Sequence, residues 1–335
     1  MSNYTDAQIG KMADSTMEPT VSQAKQLVSP EQLAELMERR DLPAWIQCST
    51  HFGASVVCGY YLYTTWGNWW LTVPLFMIQG ILLSYMYAGQ HEMSHKTAFR
   101  TPWLNTLWGH IFGFIGFITF WFDRTHHMMH HQWTGVRSLD QELVEFRFED
   151  RPFTTWSYLR YLSSIDYFFT LWGLFLMRLT GGLIDYEKQH FSKVDCAKMM
   201  AEAWAYMVGY SLIAYFSVQN ETWIAVQVWL APMISMKWVH QAHNMTEHYG
   251  LPKVADMPSN TRTIYTTPIN RWLVWNMNYH TGHHRFANVP FYNTPKLDRL
   301  IRPEVKHSTM GYLKWHKQVI NAALAGKRYG YEGLM

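Results

Sequence analysis

The chain is 335 residues long, 16% aromatic, and carries a formal net charge of +3, with Lys and Arg scattered rather than gathered into a stripe, which argues against a nucleic-acid footprint. Its three cysteines, Cys48, Cys58 and Cys196, lie far apart with no CxxC pair, so neither a disulfide framework nor a cysteine zinc site is indicated. The aromatic content suits anchoring at membrane interfaces, and a mean hydropathy of −0.19 means that much of such a membrane protein must lie outside the bilayer.

Residues 1–44 are polar and show no basic stretch followed by an apolar one, so no cleaved signal peptide is expected. Ser29 as N-cap and Pro30 at the first position predict a short helix that stops near Asp41-Leu42-Pro43. Two apolar stretches without Asp, Glu, Lys or Arg follow, from Trp45 to Trp66 and from Trp69 to Ala88, joined by "TTWGN". Each is about as long as a bilayer is thick. A second pair, 200–218 and 222–238, is joined by "VQNET". The joining loops hold no Lys or Arg, whereas Arg39, Arg40, Lys96, Arg100, Lys193, Lys198, Lys237 and Lys253 flank the other ends, so both hairpins are expected to enter from the cytoplasm and return to it.

Two further apolar stretches are interrupted by polar residues. The first, 103–122, carries Asn105, His110 and three glycines, and the second, 161–177, contains Asp166 between Arg160 and Arg178. Both read as interfacial or re-entrant. The expected fold is an all-α integral membrane protein with about four transmembrane helices in two hairpins and a cytoplasmic helical cap. Residues 1–44 form a polar cytoplasmic extension, 45–335 a single membrane domain, and both termini are cytoplasmic.

Of seventeen histidines, twelve fall in four clusters, each just beyond the cytoplasmic end of an apolar stretch. "HEMSH" holds His91 and His95 one helical turn apart, and "RTHHMMHH" holds His126, His127, His130 and His131. "HQAHNMTEHYG" contains His240, His243, Asn244 and His248, and "NYHTGHH" contains His280, His283 and His284. An isolated HxxxH is more often a pair of ordinary polar or core histidines, and the third cluster alone could be a polar helix end. Four clusters at one predicted membrane face call for a metal, because neutral imidazole is the commonest metal ligand. A structural zinc needs only four ligands. The larger number suggests two metals, iron with open positions suits oxygen activation, and an apolar floor suggests a hydrocarbon substrate. His51, His110, His190, His307 and His316 are expected to be structural.

The stretches "HEMSHKTAFRTPWLN", "RTHHMMHHQWTGVRSLDQEL" and "NTRTIYTTPINRWLVWNMNYHTGHHRFANVPFYNTPKL" resemble the three histidine boxes of the membrane fatty acid desaturase superfamily, especially its bacterial members. The resemblance covers about residues 35–305, and "NMTEHYGLP" is also similar to a motif of the alkane monooxygenases of that superfamily. It implies two non-haem irons with O2 as co-substrate, held by His91, His95, His127, His130, His131, His248, His280, His283 and His284. Asn244 would stand near the metal through water, and His126, His243, Asp140 and Arg124 would be outer partners or alternative ligands. A bacterial inner membrane with the active site on the cytoplasmic side is implied as well. Three departures stand out: Gly282 where the family commonly has Glu, Asp140-Gln141 in place of Asp-Pro, and two histidines, His126 and His127, where one is expected.

The expected function is O2-dependent oxidation of an unactivated C–H bond, desaturation of a fatty acyl or lipid chain being the leading outcome. Hydroxylation of the alkane, fatty-acid or carotenoid type is the alternative, and a non-catalytic metal- or lipid-binding membrane protein a remote one. A soluble ferritin-like diiron protein needs two Glu-x-x-His pairs, and only Glu92 and His95 have that spacing. The chain has no GxGxxG fingerprint and no cysteine set for an iron–sulfur cluster. A separate electron donor is therefore expected: a ferredoxin, a rubredoxin or a cytochrome b5-like protein with its reductase. Lys96, Arg100, Arg124 and Arg137 are a candidate basic docking surface for it.

Overall fold

Ser29 Oγ accepts a hydrogen bond from the Gln32 amide at 3.2 Å while Gln32 Oε1 accepts one from the Ser29 amide at 2.9 Å, a reciprocal cap that starts helix α1 (Pro30–Leu36). The predicted stop at Asp41-Leu42-Pro43 is corrected: α1 ends at Leu36, and Asp41 opens the next helix. Pro43 falls in that helix's first turn, where its missing N–H has no intrahelical acceptor to lose. The computed structural model describes residues 27–136, 139–140 and 154–325, so most of the predicted polar extension and Arg137 lie outside the described residues.

After α1 come α2 (Asp41–Thr64), α3 (Trp69–Ser94), α4 (Pro102–Gly116), α5 (Phe120–Trp133), α6 (Thr155–Leu162), α7 (Ile165–Leu179), α8 (Asp185–His190) and α9 (Lys193–Gln219). A π-helical turn, Val226–Leu230, leads into α10 (Ala231–His248), followed by α11 (Met257–Asn260), β1 (Thr263–Tyr265), α12 (Pro268–Leu273), α13 (His280–Arg285), α14 (Thr294–Ile301), β2 (Ser308–Met310) and α15 (Tyr312–Leu324). These residues form two compact units. One takes in 41–125 and 159–241; the other takes in the described parts of 1–40, 126–158 and 242–335.

The first unit is built around α3, the described helix long and apolar enough to cross a bilayer, at 26 residues with a mean hydropathy of 1.5 over its best window. Gly80 lets the α3 backbone approach α10, because a Cβ there would collide with the Pro232 carbonyl and the Met236 side chain. Gln79 reaches across to donate to the Val228 carbonyl in the π turn at 2.9 Å. The predicted apolar stretch 103–122 is broken by Phe117, whose φ of 61° ends α4. With 15 residues each, α4 and α7 extend about 22 Å, short of the roughly 30 Å hydrocarbon core. The buried Glu202 accepts from the Phe120 and Trp121 amides, both at 2.7 Å, and so satisfies donors at the start of α5. Trp70, Tyr60, Val208, Phe216 and Trp223 are all exposed. Apolar surface on this scale is a membrane or protein contact rather than an aqueous face.

The second unit has its own apolar core of Val28, Leu36, Val289, Leu297 and Ile301. It also contains the departure from an all-helical chain: β1 and β2 pair in parallel, Thr263 with Ser308 and Tyr265 with Met310. Asn278 fixes the approach to α13 by donating from its side chain to the Ile264 carbonyl at 3.0 Å, while its own carbonyl accepts from the Ile264 amide at 2.9 Å. Just before it, Trp275 and Asn276 hold φ values of 52° and 59°, two consecutive non-glycine residues in the left-handed region. The buried Trp275 ring against Phe291 and the Asn276 side-chain bond to the Phe291 carbonyl secure that turn.

Candidate metal centre

Helical spacing supplies the raw geometry. On α13, His280, His283 and His284 stand at i, i+3 and i+4 and are all buried, and on α5 His127, His130 and His131 repeat the arrangement. In the second unit these faces converge with the end of α10 in two nests. One joins His127, His131 and His283, with His131 and His283 Nε2 atoms 3.1 Å apart. The other joins His130, His248 and His284, and His280 Nε2 lies 2.8 Å from His248 Nε2. Within each nest the donor atoms lie within 4.8 Å of one another. Imidazoles bound at about 2.1 Å to one metal place adjacent donor atoms roughly 3–4 Å apart. The stacked rings of His131 and His284, 4.2 Å between centres, link the two nests.

What orients these rings is a layer of hydrogen bonds on their far sides. His130 Nδ1 is 2.8 Å from Asp140 Oδ1, and the other Asp140 oxygen accepts from the Gly135 amide at 2.8 Å. Only glycine suits position 135, where φ is +83° and a Cβ would strike the Val254 carbonyl. His248 Nδ1 is 2.8 Å from the Asn260 carbonyl. Thr134 donates to the His130 carbonyl at 2.6 Å, which leaves its oxygen to accept from His284 Nδ1 at 3.1 Å. Three rings thus have Nδ1 engaged as donor, which leaves the Nε2 lone pair as the one available for coordination. His284 Nε2 is buried with no hydrogen-bond partner among the described residues, as a ligand nitrogen would be before its metal is counted.

Electrostatics favour the same state. Burial, then the proximity of His130, pushes His283 down to about 3, and burial and its histidine neighbours push His284 well below the ordinary imidazole range. The rings are therefore neutral at physiological pH, the form that binds metal. Burial alone would raise Asp140, but His130 beside it and the Gly135 amide bring it below the ordinary carboxylate value, so it stays an acceptor. The donor set is all-nitrogen and largely buried, with the tautomer fixed in His130, His248 and His284, and it fits a transition metal.

Several of these supports were not evident in the sequence. Glu247, next to His248, places Oε1 3.3 Å from His280 Nδ1 and 3.3 Å from His243 Nε2. Arg262 ties down the end of α10 by donating to the Thr246 carbonyl at 2.6 Å and the Tyr249 carbonyl at 3.0 Å, with its guanidinium over Trp315. His126 is buried but belongs to neither nest, His243 lies with its ring 5.1 Å from Tyr312, and Asn244 is half-buried.

In the first unit, His91 and His95 close α3 with their Nε2 atoms 3.3 Å apart, again the separation of two donors on one ion. Arg124 is half-buried, with Nη1 lacking a hydrogen-bond partner among the described residues. Lys96 and Lys198 lie over the Trp121 ring, 5.6 and 4.6 Å from its centre. Three of the five histidines expected to be structural have ordinary polar partners: His51 Nε2 is 2.9 Å from the Leu82 carbonyl, His110 Nδ1 is 2.7 Å from Glu202, and in the second unit His316 Nδ1 is 2.9 Å from the Tyr158 hydroxyl.

A sphingolipid delta(4)-desaturase DES1-like protein of Oryza sativa subsp. japonica is 27% identical over 255 residues, 75% of this chain and 69% of that protein. An sn-1 oleoyl-lipid 12-desaturase of Picosynechococcus sp. is 24% identical over 283 residues, covering 77% and 76%. A sphingolipid delta(4)-desaturase/C4-monooxygenase DES2 of Bos taurus is 26% identical over 255 residues, covering 74% and 71%. The fatty acid desaturase family model matches residues 68–316, a span that contains every histidine of the two nests together with His91 and His95, and the chain is therefore an oxidoreductase that belongs to the fatty acid desaturase family.

Proposed function

We propose that this protein is an O2-dependent membrane desaturase of lipid or acyl chains, with two irons held by His91, His95, His127, His130, His131, His248, His280, His283 and His284. Bound there, the irons would activate O2 and allow hydrogen to be taken from an unactivated C–H bond. The observation that carries this function is the triple commitment of Nδ1 in His130, His248 and His284, to Asp140, the Asn260 carbonyl and Thr134, which leaves three Nε2 atoms of one nest for a metal. These residues hold and orient. The substrate class comes from the relatives, whose names assign desaturation to sphingolipid and acyl-lipid chains.

Four crossings are part of the same proposal. Helices α2 and α9, at 24 and 27 residues, are long enough to accompany α3, and α10 with its preceding π turn supplies the fourth. The loops at 65–68 and 220–223 would face away from the cytoplasm, and both termini toward it. Residues 45–335 would make up the membrane domain, in a bacterial inner membrane.

Hydroxylation shares the first hydrogen abstraction with desaturation, and the cattle relative is named for both outcomes. Supplying 18O2 to an active preparation with its lipid substrate separates them. An alkene without label is the expected product. One 18O atom retained in the lipid would reassign the protein as a hydroxylase.

A further inference from the structure

Helix α15 is apolar on two sides. Its inner face buries Trp315, His316 and Val319, and His316 Nε2 donates to the Ala242 carbonyl at 2.9 Å, which ties the helix to the last turns of α10. On its outer face Leu313 is 86% exposed and Leu324 71%, with the exposed Lys317 between them on the same stripe and the exposed Lys314 beside it. Met310, at the end of β2, is exposed just ahead of the helix. Singly, exposed leucines need no explanation. These share a stripe with lysines on a surface without carboxylates: residues 305–325 contain no Asp or Glu, and Asp298 and Glu304 just upstream are taken up by Arg302 and Arg285. Lys314 and Lys317 form no ion pair among the described residues.

Where α15 is tied to α10 decides what its outer face meets. In the proposed topology the apolar stretch of the fourth crossing ends at Trp238, and Ala242 lies one turn further on the same helix, about 6 Å along its axis. A helix anchored there stands at the level of the lipid head groups. Leu313 and Leu324 are separated by about 16 Å along α15, so the outward apolar residues form a line. A line suits a plane of lipid better than the compact central anchor of a protein interface. The lysines fit the same place, because their long stems stay with apolar groups while the ammonium reaches a head-group phosphate. We propose that α15 lies on the cytoplasmic leaflet as an amphipathic anchor, with Leu313 and Leu324 in the boundary between head groups and acyl chains and Lys314 and Lys317 on anionic lipid phosphates. The proposal rests on the four-crossing reading above and gives the second unit a lipid contact of its own. Through Trp315, under the Arg262 guanidinium, the same helix braces the end of α10 that carries His248.

The test is spin-label depth in proteoliposomes of the purified full chain, which reads position and needs no turnover. Single labels are placed on Leu313→Cys and Leu324→Cys, with Arg299→Cys on α14 as the aqueous reference; the native cysteines are buried. In vesicles of phosphatidylcholine mixed with phosphatidylglycerol, labels at 313 and 324 are expected to be relaxed by O2, which concentrates in lipid. They are expected to lose relaxation by a water-soluble nickel chelate that still reaches 299. Lys314→Glu with Lys317→Glu, or vesicles of phosphatidylcholine alone, should each lower the immersed population by about tenfold or more. All these positions are exposed, so folding is not at stake. Labels at 313 and 324 that meet the nickel chelate as freely as 299 would overturn the proposal. So would exclusion of both O2 and nickel, the sign that a second copy or another part of this chain covers the helix, and so would immersion indifferent to lipid charge and to charge reversal. Failure of the four-crossing reading appears separately, as Arg299→Cys labelled from outside intact cells.

Discussion

Glu247 shows how much of a metal centre lies outside its ligands. Its carboxylate stands between two imidazoles, 3.3 Å from His280 Nδ1 and 3.3 Å from His243 Nε2, while His280 Nε2 lies toward His248. A Cβ on Gly282 would come within 3.3 Å of Ile301 and 3.4 Å of Leu297, the methyl ends of two residues of the apolar core, so a side chain there would need only a small shift of these neighbours. Gly282 does not leave the site without a carboxylate, because a neighbouring helix provides one. Replacing Glu247 by Ala is expected to weaken iron binding about 10- to 100-fold in competition with a chelator, while Gln, which keeps an acceptor oxygen, retains most of it. Iron affinity unchanged in Glu247→Ala would show that the contact is incidental. The doubled histidine in the second box is open to a similar measurement. His127 lies 4.5 Å, ring to ring, from His131, whereas His126 is in neither nest. His127→Ala is expected to lose one iron per chain and His126→Ala to keep both; the reverse stoichiometry would exchange their roles. Asp140 was legible as a candidate from its place after the second box. Glu247 was not, because only folding brings residue 280 to it.

At the scale of elements, the sequence announces what local chemistry decides and conceals what contacts decide. The cap on α1 is written in Ser29, Pro30 and Gln32, and α3 in its unbroken apolar run. Pro43 misleads as a stop signal, since a proline in a first turn and a proline after a last turn look alike until the helix is seen. The ends of α4 and α7 depend on Phe117 and Ser164 in left-handed conformations that neither residue type favours, and β1 pairs with β2 across more than forty positions through three residues each, too few for a period to show. The proposed crossings can be checked with single cysteines. Cysteine at Asn68 or Asn220, both exposed beside loops between long helices, should react with a membrane-impermeant thiol reagent added to intact cells. Cysteine at Arg299, exposed on α14, should react only after the membrane is opened. The native Cys48, Cys58 and Cys196 are buried and contribute little background. Labelling of Arg299→Cys from outside would refute the orientation.

For the whole molecule the remaining requirement is electrons. Desaturating a lipid with O2 removes two electrons from the substrate and two more from elsewhere, with two protons, to give two waters. The chain offers no nucleotide fingerprint and no cysteine-ligated cluster to store them; its three cysteines are separate and buried. The proposed carrier would have to dock, and folding brings together cations that could receive it and that the sequence shows only in part. Lys96 and Lys198, distant along the chain, both lie over Trp121, with Arg124 one turn further along α5 and Arg100 exposed nearby in sequence. Burial first, then Arg124 and Lys198, lowers the Lys96 pKa, a sign that these like charges crowd one another. Although Asp195 pairs with Lys198 at 3.6 Å, the crowded cations suit an acidic partner such as a ferredoxin, with the steep salt dependence that charge steering brings. Purified protein given NAD(P)H, lipid and O2 alone is expected to be inactive, and to turn over once ferredoxin and its reductase are added. Reversing charge with Lys96→Glu and Lys198→Glu together should lower kcat/KM for the carrier by about tenfold at low salt, chiefly through the rate of encounter, while iron content and lipid binding stay the same. Turnover without any carrier would show that electrons enter this protein by another route, and a double variant as fast as wild type at low salt would move the docking surface elsewhere.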